Sequence, residues 1–175
     1  ACYNFAAMSN ISPKPLTDLY LGDEASYAFD ELEQNTGLSV SDFTSTDQIL
    51  GQILDNKIIG VCRGRMEMGQ RALGNRSIIA NPTLVEMKDI VNSKIKFREP
   101  YRPFAPSVME DKIEDIFITK YEKNVNPNDF MLNVIKVKSE YINKIPAVSH
   151  MGTARIQSVR KQNKDYYNLI KKFYN

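Results

Sequence analysis

Apolar and polar positions recur along this chain in two periods, one typical of helices and one typical of strands. Five stretches are predicted to form helices: residues 23–34, 46–56, 82–91, 111–117 and 163–174. Thr46 is the expected N-cap of the second helix, because a hydroxyl at that position accepts a backbone N–H. The last of the five carries an apolar stripe, which predicts packing against a core.

Short apolar runs predict strands at residues 57–62, 77–80 and 130–137, and residues 103–109 are expected to be extended. Residues 94–98 alternate between apolar and basic side chains, which predicts a strand with its cations on one face. Helices that alternate with short strands indicate an α/β or α+β domain built on an open mixed sheet.

A basic stretch, residues 63–106, lies at the centre of this pattern. It holds six of the eight arginines: Arg63, Arg65, Arg71, Arg76, Arg98 and Arg102. It also has glycines at positions 64, 69 and 74, which let the backbone approach a ligand closely. Guanidinium groups bind oxyanions through paired hydrogen bonds. The stretch therefore predicts a site for an anion, above all a phosphorylated one.

Composition and charge narrow the class of protein. The chain has 175 residues, of which 42% are apolar and 25% charged, as in one soluble globular domain. It lacks an apolar run of about 20 residues and an N-terminal signal pattern, so we expect a cytoplasmic protein with no membrane segment. Two cysteines and one histidine predict no disulfide framework and no zinc site. Residues 1–62 carry a net charge of −7 and the remainder +9, which places an anionic partner on the later part.

Alternation on a strand would make Lys96 and Arg98 point the same way, so that they could hold two oxygens of one phosphate or carboxylate. A solvated edge strand is the alternative. Arg71 and Arg76 lie in a loop whose Asn75 and Ser77 add hydrogen-bonding groups. This loop favours an anion site, although Arg71 could instead form a simple ion pair with Glu67, four positions earlier.

Other candidates lie near the end of the basic stretch and beyond it. Arg102 stands between prolines and aromatic residues, on which an adenine could stack. His150 could be a phosphate contact or a proton carrier, although a lone histidine is more often structural. Thr153, Arg155 and Gln157 alternate as a polar face that could close the far wall of an anion pocket. Glu67 and Glu99 could hold magnesium or brace an arginine, and bracing is the commoner role.

Four segments together identify a resemblance: LTDLYLGDE, GRMEMGQRALGNRSIIANP, MKDIVNSKIKFREPYRPFAPSVME and HMGTARIQSV. With them the chain resembles the C-terminal domain of the carbamoyltransferases that modify antibiotics and nodulation factors. The resemblance covers essentially the whole chain. It implies a YrdC/Sua5-like fold, an open twisted mixed sheet flanked by helices, with a basic cavity. Residues 1–22 would be the end of a preceding domain and a linker, and residues 23–175 the YrdC-like domain, which we expect to continue beyond residue 175.

The resemblance also implies an activity. The domain would use carbamoyl phosphate and ATP, with Mg²⁺ accompanying the ATP, to form an O-carbamoyladenylate. A Kae1-like N-terminal domain, absent from this chain, would pass the carbamoyl group to a hydroxyl of a small-molecule acceptor. Two alternatives stay open: a non-catalytic YrdC-like module that binds nucleotide or RNA, and a docking surface for the missing domain. Arginines interleaved with Gly, Asn and Ser fit one compact anion better than a nucleic-acid backbone.

Site residues follow from the same resemblance. Lys96 and Arg98 match the family's Lys-x-Arg and are expected to act catalytically on the triphosphate and the carbamoyl group. Binding of ATP or substrate is expected from Arg65, Arg71, Asn75, Arg76, Ser77, Arg102, His150, Thr153 and Arg155. No metal ligand is expected on the protein. The segment at His150 is one residue shorter than the family's and lacks its aspartate.

Overall fold

The computed structural model describes residues 18–24, 45–120 and 127–175, together with the single positions 8, 9, 12 and 36. The helix expected over residues 23–34 and most of the expected linker lie outside the described residues. Within them, no helix combines the length and apolar character needed to cross a bilayer.

The described ranges contain five α-helices: α1, Thr46–Leu54; α2, Met87–Val91; α3, Ile113–Ile116; α4, Ser139–Ile142; and α5, Lys164–Tyr174. Ser45, not the predicted Thr46, is the N-cap of α1, because its side chain accepts from the Gln48 N–H while the Gln48 side chain accepts from the Ser45 N–H. Helix α2 begins five residues later than predicted, since Asn81 Oδ1 accepts from the Thr83 N–H and holds a turn there.

Six strands in the described ranges pair in twos rather than in the single open sheet that the pattern predicted. Strand β1, Ile59–Cys62, is antiparallel to β2, Arg76–Ile79. Strand β3, Ser107–Met109, is parallel to β6, Gln157–Val159, and β4, Val134–Lys136, is antiparallel to β5, Thr153–Arg155. These short strand pairs and the five helices make a mixed α+β architecture, which confirms the predicted fold class.

The prediction of a strand over residues 94–98 is wrong. A π-helix, Asn92–Lys96, continues α2, and Phe97 ends it with a left-handed φ of 47°. Asn92 explains the change, because it is 1% exposed and its carbonyl oxygen accepts from the N–H groups of both Phe97 and Arg98. Strand alternation therefore does not present Lys96 and Arg98: Lys96 is the last residue of the π-helix, and Arg98 follows the left-handed Phe97.

Three apolar clusters form the described core. The first is built around Ile113, Phe117 and Ile156, and the second joins Ile53 of α1 to Tyr166 and Leu169 of α5. The third contains Met87, Val91 and Ala147. Residues of the second and third clusters also line one cavity, so the core itself forms part of its wall.

Candidate anion-binding site

A cavity of about 340 Å³ is lined by β2, α2 and α5 and by the loops next to them. Its polar side chains are Gln70, Arg71, Ser77, Asn81, Lys88, Lys96, Arg98, Ser107, Arg155 and Gln157. Five of these are cationic, and none of the described residues lining the cavity is a carboxylate. Its size lies at the lower end of the range for small-molecule sites, and its charge selects an anion.

Three guanidinium groups come together in this cavity from distant parts of the chain. The pKa of Arg155 is lowered first by burial and then by the positive charges of Arg71 and Arg98. Burial likewise lowers the pKa of Arg98. Like charges held together in a partly desolvated space repel one another, and an anion bound between them removes this cost.

Two buried nitrogens in the cavity lack a partner. Arg71 Nε and Arg155 Nε are inaccessible to solvent and donate no hydrogen bond to any described residue. Buried donors are nearly always satisfied in folded proteins. Oxygens of a bound oxyanion are suitable acceptors for both, so the free cavity already has donors available for a ligand.

The direction of Arg98 is fixed by two contacts. Its Nε donates to Asn92 Oδ1 at 2.7 Å, and its Cζ lies 4.5 Å from the centroid of the Phe104 ring. Asn92 is fixed in turn, because its Nδ2 donates to the carbonyl oxygen of Arg102. A guanidinium held by a stacked ring and one hydrogen bond loses little entropy when it binds a ligand.

Glu67 organises the loop that carries Arg71. It is 8% exposed, and its Oε1 accepts from the N–H groups of Leu73 and Asn75, both at 2.7 Å, and of Arg76 at 3.3 Å. No ion pair joins Glu67 to Arg71 in this described loop. The acid therefore braces the backbone of the loop and leaves the Arg71 side chain to the cavity.

The structure brings together Arg71, Ser77, Lys96, Arg98 and Arg155 among the expected site residues. Three of the others lie outside the lining. Arg65 donates to the carbonyl oxygens of Gly22 and Leu21, and Arg76, the first residue of β2, donates to three carbonyl oxygens of the loop before it. Asn75 is buried and donates to the Arg65 carbonyl oxygen. These three hold the loop in shape.

The remaining expected residues also lie outside the lining. Arg102 is exposed and pairs with Glu99 at 2.9 Å, which agrees with the bracing role considered for that acid. His150 and Thr153 close a tight turn through backbone hydrogen bonds of 2.7 and 2.9 Å, and the Thr153 hydroxyl donates to the His150 carbonyl oxygen. This turn precedes Arg155 directly and places it on β5.

Sequence reasoning missed Asn92 and Tyr166. Asn92 interrupts an apolar helical pattern, and nothing in that pattern separates a buried, bonded asparagine from an exposed one. Tyr166 belongs to the predicted apolar stripe of the last helix, yet its hydroxyl donates to Ser107 Oγ at 2.7 Å inside the lining. Gln157, suggested only as part of a polar face, is 2% exposed and lines the cavity.

Possible metal ligands are not grouped in the part of the chain that the structure describes. Within the described ranges, no three His, Cys, Asp or Glu residues lie together in a way that could hold a metal ion. The cavity offers arginine, lysine, amide and hydroxyl groups, which are poor first ligands for magnesium.

These features define an α+β domain with a cationic cavity, and comparison with known proteins places it in a family. The family model described as "Carbamoyltransferase C-terminus" matches residues 51–175, which include every cation of the cavity, so the chain belongs to this family.

Similar proteins include Nodulation protein NolO of Bradyrhizobium diazoefficiens, 39% identical over 165 residues that cover 90% of this chain and 30% of that protein. Nodulation protein NolNO of Sinorhizobium fredii is 44% identical over 123 residues, covering 69% of this chain and 18% of that protein. An uncharacterized protein of Methanocaldococcus jannaschii is 42% identical over 123 residues, covering 69% of this chain and 19% of that protein. The chain thus spans less than a third of the length of these relatives.

Proposed function

We propose that this chain is the carbamoyladenylate-forming domain of an O-carbamoyltransferase. The observation that carries the proposal is the convergence of Arg71, Arg98 and Arg155 in one cavity whose described lining has no carboxylate. ATP and carbamoyl phosphate are both phosphorylated anions, and guanidinium groups match their oxygens in geometry and charge. Membership of the carbamoyltransferase family supports the choice of these substrates over other anions.

The reaction balances with one water molecule. Carbamoyl phosphate and water give carbamate and phosphate, and a carbamate oxygen then attacks the α-phosphorus of ATP. A new oxygen–phosphorus bond forms, the bond to the β-phosphate breaks, and pyrophosphate leaves with the bonding electrons. The products are O-carbamoyladenylate, phosphate and pyrophosphate. No covalent bond to the protein is needed.

The cavity's cations would act by positioning and by electrostatic stabilisation. Negative charge moves onto the leaving pyrophosphate as the reaction proceeds, and fixed guanidinium groups stabilise it without having to reorganise. Arg98 is already oriented by Asn92 and Phe104, and Arg71 and Arg155 each offer an unpaired Nε. Lys96 would neutralise phosphate charge as a mobile point charge, since its side chain is exposed at the cavity.

The apolar part of the lining suits a nucleoside. It includes Ile79, Met87, Val91 and Leu169. A flat purine buries apolar area there while its phosphates reach the arginines. Because its described lining supplies no carboxylate, this cavity does not fit a directly coordinated magnesium ion, and any Mg²⁺ would be held by the phosphate oxygens of ATP and by water.

The rest of the proposal concerns the whole protein. The domain would have the YrdC/Sua5-like arrangement and work in the cytoplasm. The relatives are more than three times as long as the part this chain matches, so most of such a protein lies outside it. A Kae1-like N-terminal domain in that part would receive the adenylate and transfer the carbamoyl group to a hydroxyl of a small molecule.

The test is an assay of pyrophosphate release from ATP, with mass spectrometry for O-carbamoyladenylate. We expect release and adduct only when carbamoyl phosphate is present, with both reduced at least tenfold in Arg98→Met. Release that does not depend on carbamoyl phosphate, or a folded wild-type chain that forms no adduct, would contradict the proposal.

RNA binding is a second candidate, favoured by two exposed aromatic residues among the cations. Phe97 is 82% exposed and Tyr101 68% exposed, next to Lys96 and Arg102. Single-stranded RNA stacks on such rings while its phosphates meet the cations. Tight binding of an RNA oligonucleotide that weakens steeply with salt, together with no ATP binding, would favour this candidate.

A further inference from the structure

The backbone of Leu73 is held by three side chains, two of them from distant parts of the chain. Its carbonyl oxygen accepts from Gln157 Nε2 at 2.7 Å and from the Tyr20 hydroxyl at 2.9 Å. Its N–H donates to Glu67 Oε1 at 2.7 Å. Leu73 is 2% exposed and lies two residues after Arg71, so this junction fixes the end of the cavity wall formed by residues 70–72.

Segment 18–24 runs along the same loop. The Gly22 N–H donates to the Met66 carbonyl oxygen and the Met66 N–H to that of Asp23, both at 2.9 Å. The Met68 N–H donates to the Leu19 carbonyl oxygen at 2.7 Å. These backbone bonds hold segment 18–24 beside residues 65–68, and Tyr20 extends from it to the junction at Leu73.

The Tyr20 hydroxyl also contacts α5. It accepts from Asn163 Nδ2 at 2.9 Å, directly before the first residue of that helix. Burial raises the pKa of Tyr20, which keeps the hydroxyl protonated and able to donate to Leu73. One side chain thus joins segment 18–24 to two walls of the cavity, the arginine-bearing loop and α5.

We propose that Tyr20 is a positioning residue of the cationic cavity, and that it couples segment 18–24 to Arg71 through the backbone of Leu73. The proposal rests on the proposed function, in which Arg71 binds phosphate. Any displacement of segment 18–24 pulls on the Leu73 carbonyl oxygen and moves the adjoining wall of the cavity. A protein part that acts on this segment can thereby change the affinity of the cavity for its ligand without touching it.

Amide hydrogen exchange tests the coupling without any ligand. In Tyr20→Phe, which removes only the hydroxyl, we expect peptides covering residues 66–77 to exchange about 2- to 10-fold faster, because Leu73 loses the hydrogen bond that this hydroxyl donates. Tyr141→Phe is the matched control, since Tyr141 lies on α4 against the first core cluster and should leave these peptides unchanged. Equal exchange in Tyr20→Phe and wild type would overturn the proposal.

A double-mutant cycle with Mg–ATP as the probe tests the route through Arg71. Tyr20→Phe should weaken ATP binding about 2- to 10-fold in the wild-type background and have no further effect in Arg71→Met, because the group it positions is gone. The same weakening of ATP binding in both backgrounds would overturn the proposal. So would a loss of ATP affinity that thermal denaturation traces to a loss of folded protein. A folded wild-type chain that binds no ATP would refute the proposed function instead, and the exchange experiment would still decide the coupling.

Discussion

Gly74 lies directly against the ring of Tyr166, where a Cβ atom at position 74 would come within 2.5 Å of ring atom Cδ1. Its φ of +112° belongs to a region that side chains rarely adopt. Arg63 covers the same ring, with its Cζ 4.9 Å from the centroid, and its Nε donates to the Gly74 carbonyl oxygen at 3.1 Å. The loop that carries Arg71 is therefore seated on an aromatic residue of the cavity wall.

Gly74→Ala should consequently destabilise the fold. Strain at the positive φ and overpacking against Tyr166 together predict a loss of about 2–4 kcal/mol in the free energy of unfolding, measured by urea denaturation. Gly51→Ala is the control, because its Cβ would meet nothing within 4 Å and it lies in α1, where alanine is the better helix former. We expect this control to gain about 0.5–1 kcal/mol in the free energy of unfolding. Similar changes for both variants would show that Gly74 is not packed tightly against Tyr166.

Glu67 should matter through its backbone contacts rather than through its charge alone. Glu67→Ala leaves three N–H groups of the buried loop without their acceptor, and we expect a loss of about 2–4 kcal/mol. Glu67→Gln keeps an acceptor oxygen and should lose clearly less. Glu86→Ala, an exposed position with no side-chain cap bond, should stay within about 0.5 kcal/mol of wild type. Equal losses in the two Glu67 variants would show that the charge dominates.

Arg155→Met should stabilise the chain that has no ligand bound, although it removes a predicted binding group. It relieves repulsion with Arg71 and Arg98 and replaces a buried, unpaired Nε by an apolar atom, so we expect a gain of about 1 kcal/mol at low salt. The gain should shrink as salt is added.

Arg160→Met is the matched comparison. Its Nε donates to Asp129 Oδ2 at 2.7 Å, and the substitution leaves that buried carboxylate short of a cation. We expect a loss of about 3–5 kcal/mol. If Arg155→Met is as destabilising as Arg160→Met, the cluster of three arginines is not under electrostatic stress and does not indicate an anion site.

Alkaline pH should destabilise the fold through Tyr167. Its pKa is raised to about 12 by burial, by its hydrogen bond to Asp111 and by nearby negative charge. This contribution is fully present below pH 10, where tyrosine in the unfolded chain begins to ionise, and is lost as pH rises from 10 to 12. The free energy of unfolding should therefore fall less steeply over this range in Tyr167→Phe than in wild type. Identical slopes would contradict the assignment.

Local patterns in the sequence predicted what local forces decide. Apolar runs and periodicity predicted β1, β2 and α5 near their observed bounds. The prediction of a strand over residues 94–98 failed because the buried Asn92 continues a helix there, which alternation alone cannot reveal. The N-cap is Ser45 rather than the predicted Thr46, and the capping-box spacing could have shown this, because Gln48 lies three residues after Ser45.

The site could be predicted only as a set of residue types. Guanidinium groups and glycines indicated an anion, but Arg71, Arg98 and Arg155 meet through packing of a loop, the end of a π-helix and a strand. Spacing also cannot tell an arginine that binds ligand from one that binds carbonyl oxygens. Arg65 and Arg76 are of the second kind in this structure, although Arg65 lies in the same loop as Arg71 and Arg76 begins β2 directly after it.

The central claim is that the cationic cavity binds the phosphates of ATP, and calorimetric titration with Mg–ATP tests it most directly. We predict saturable binding by wild type and a loss of affinity of roughly 10- to 100-fold in Arg98→Met. Lys136→Gln, which removes one positive charge from an exposed position on β4, should stay within about 2-fold of wild type. Equal affinities for wild type and Arg98→Met, or an equal loss in both variants, would contradict the account.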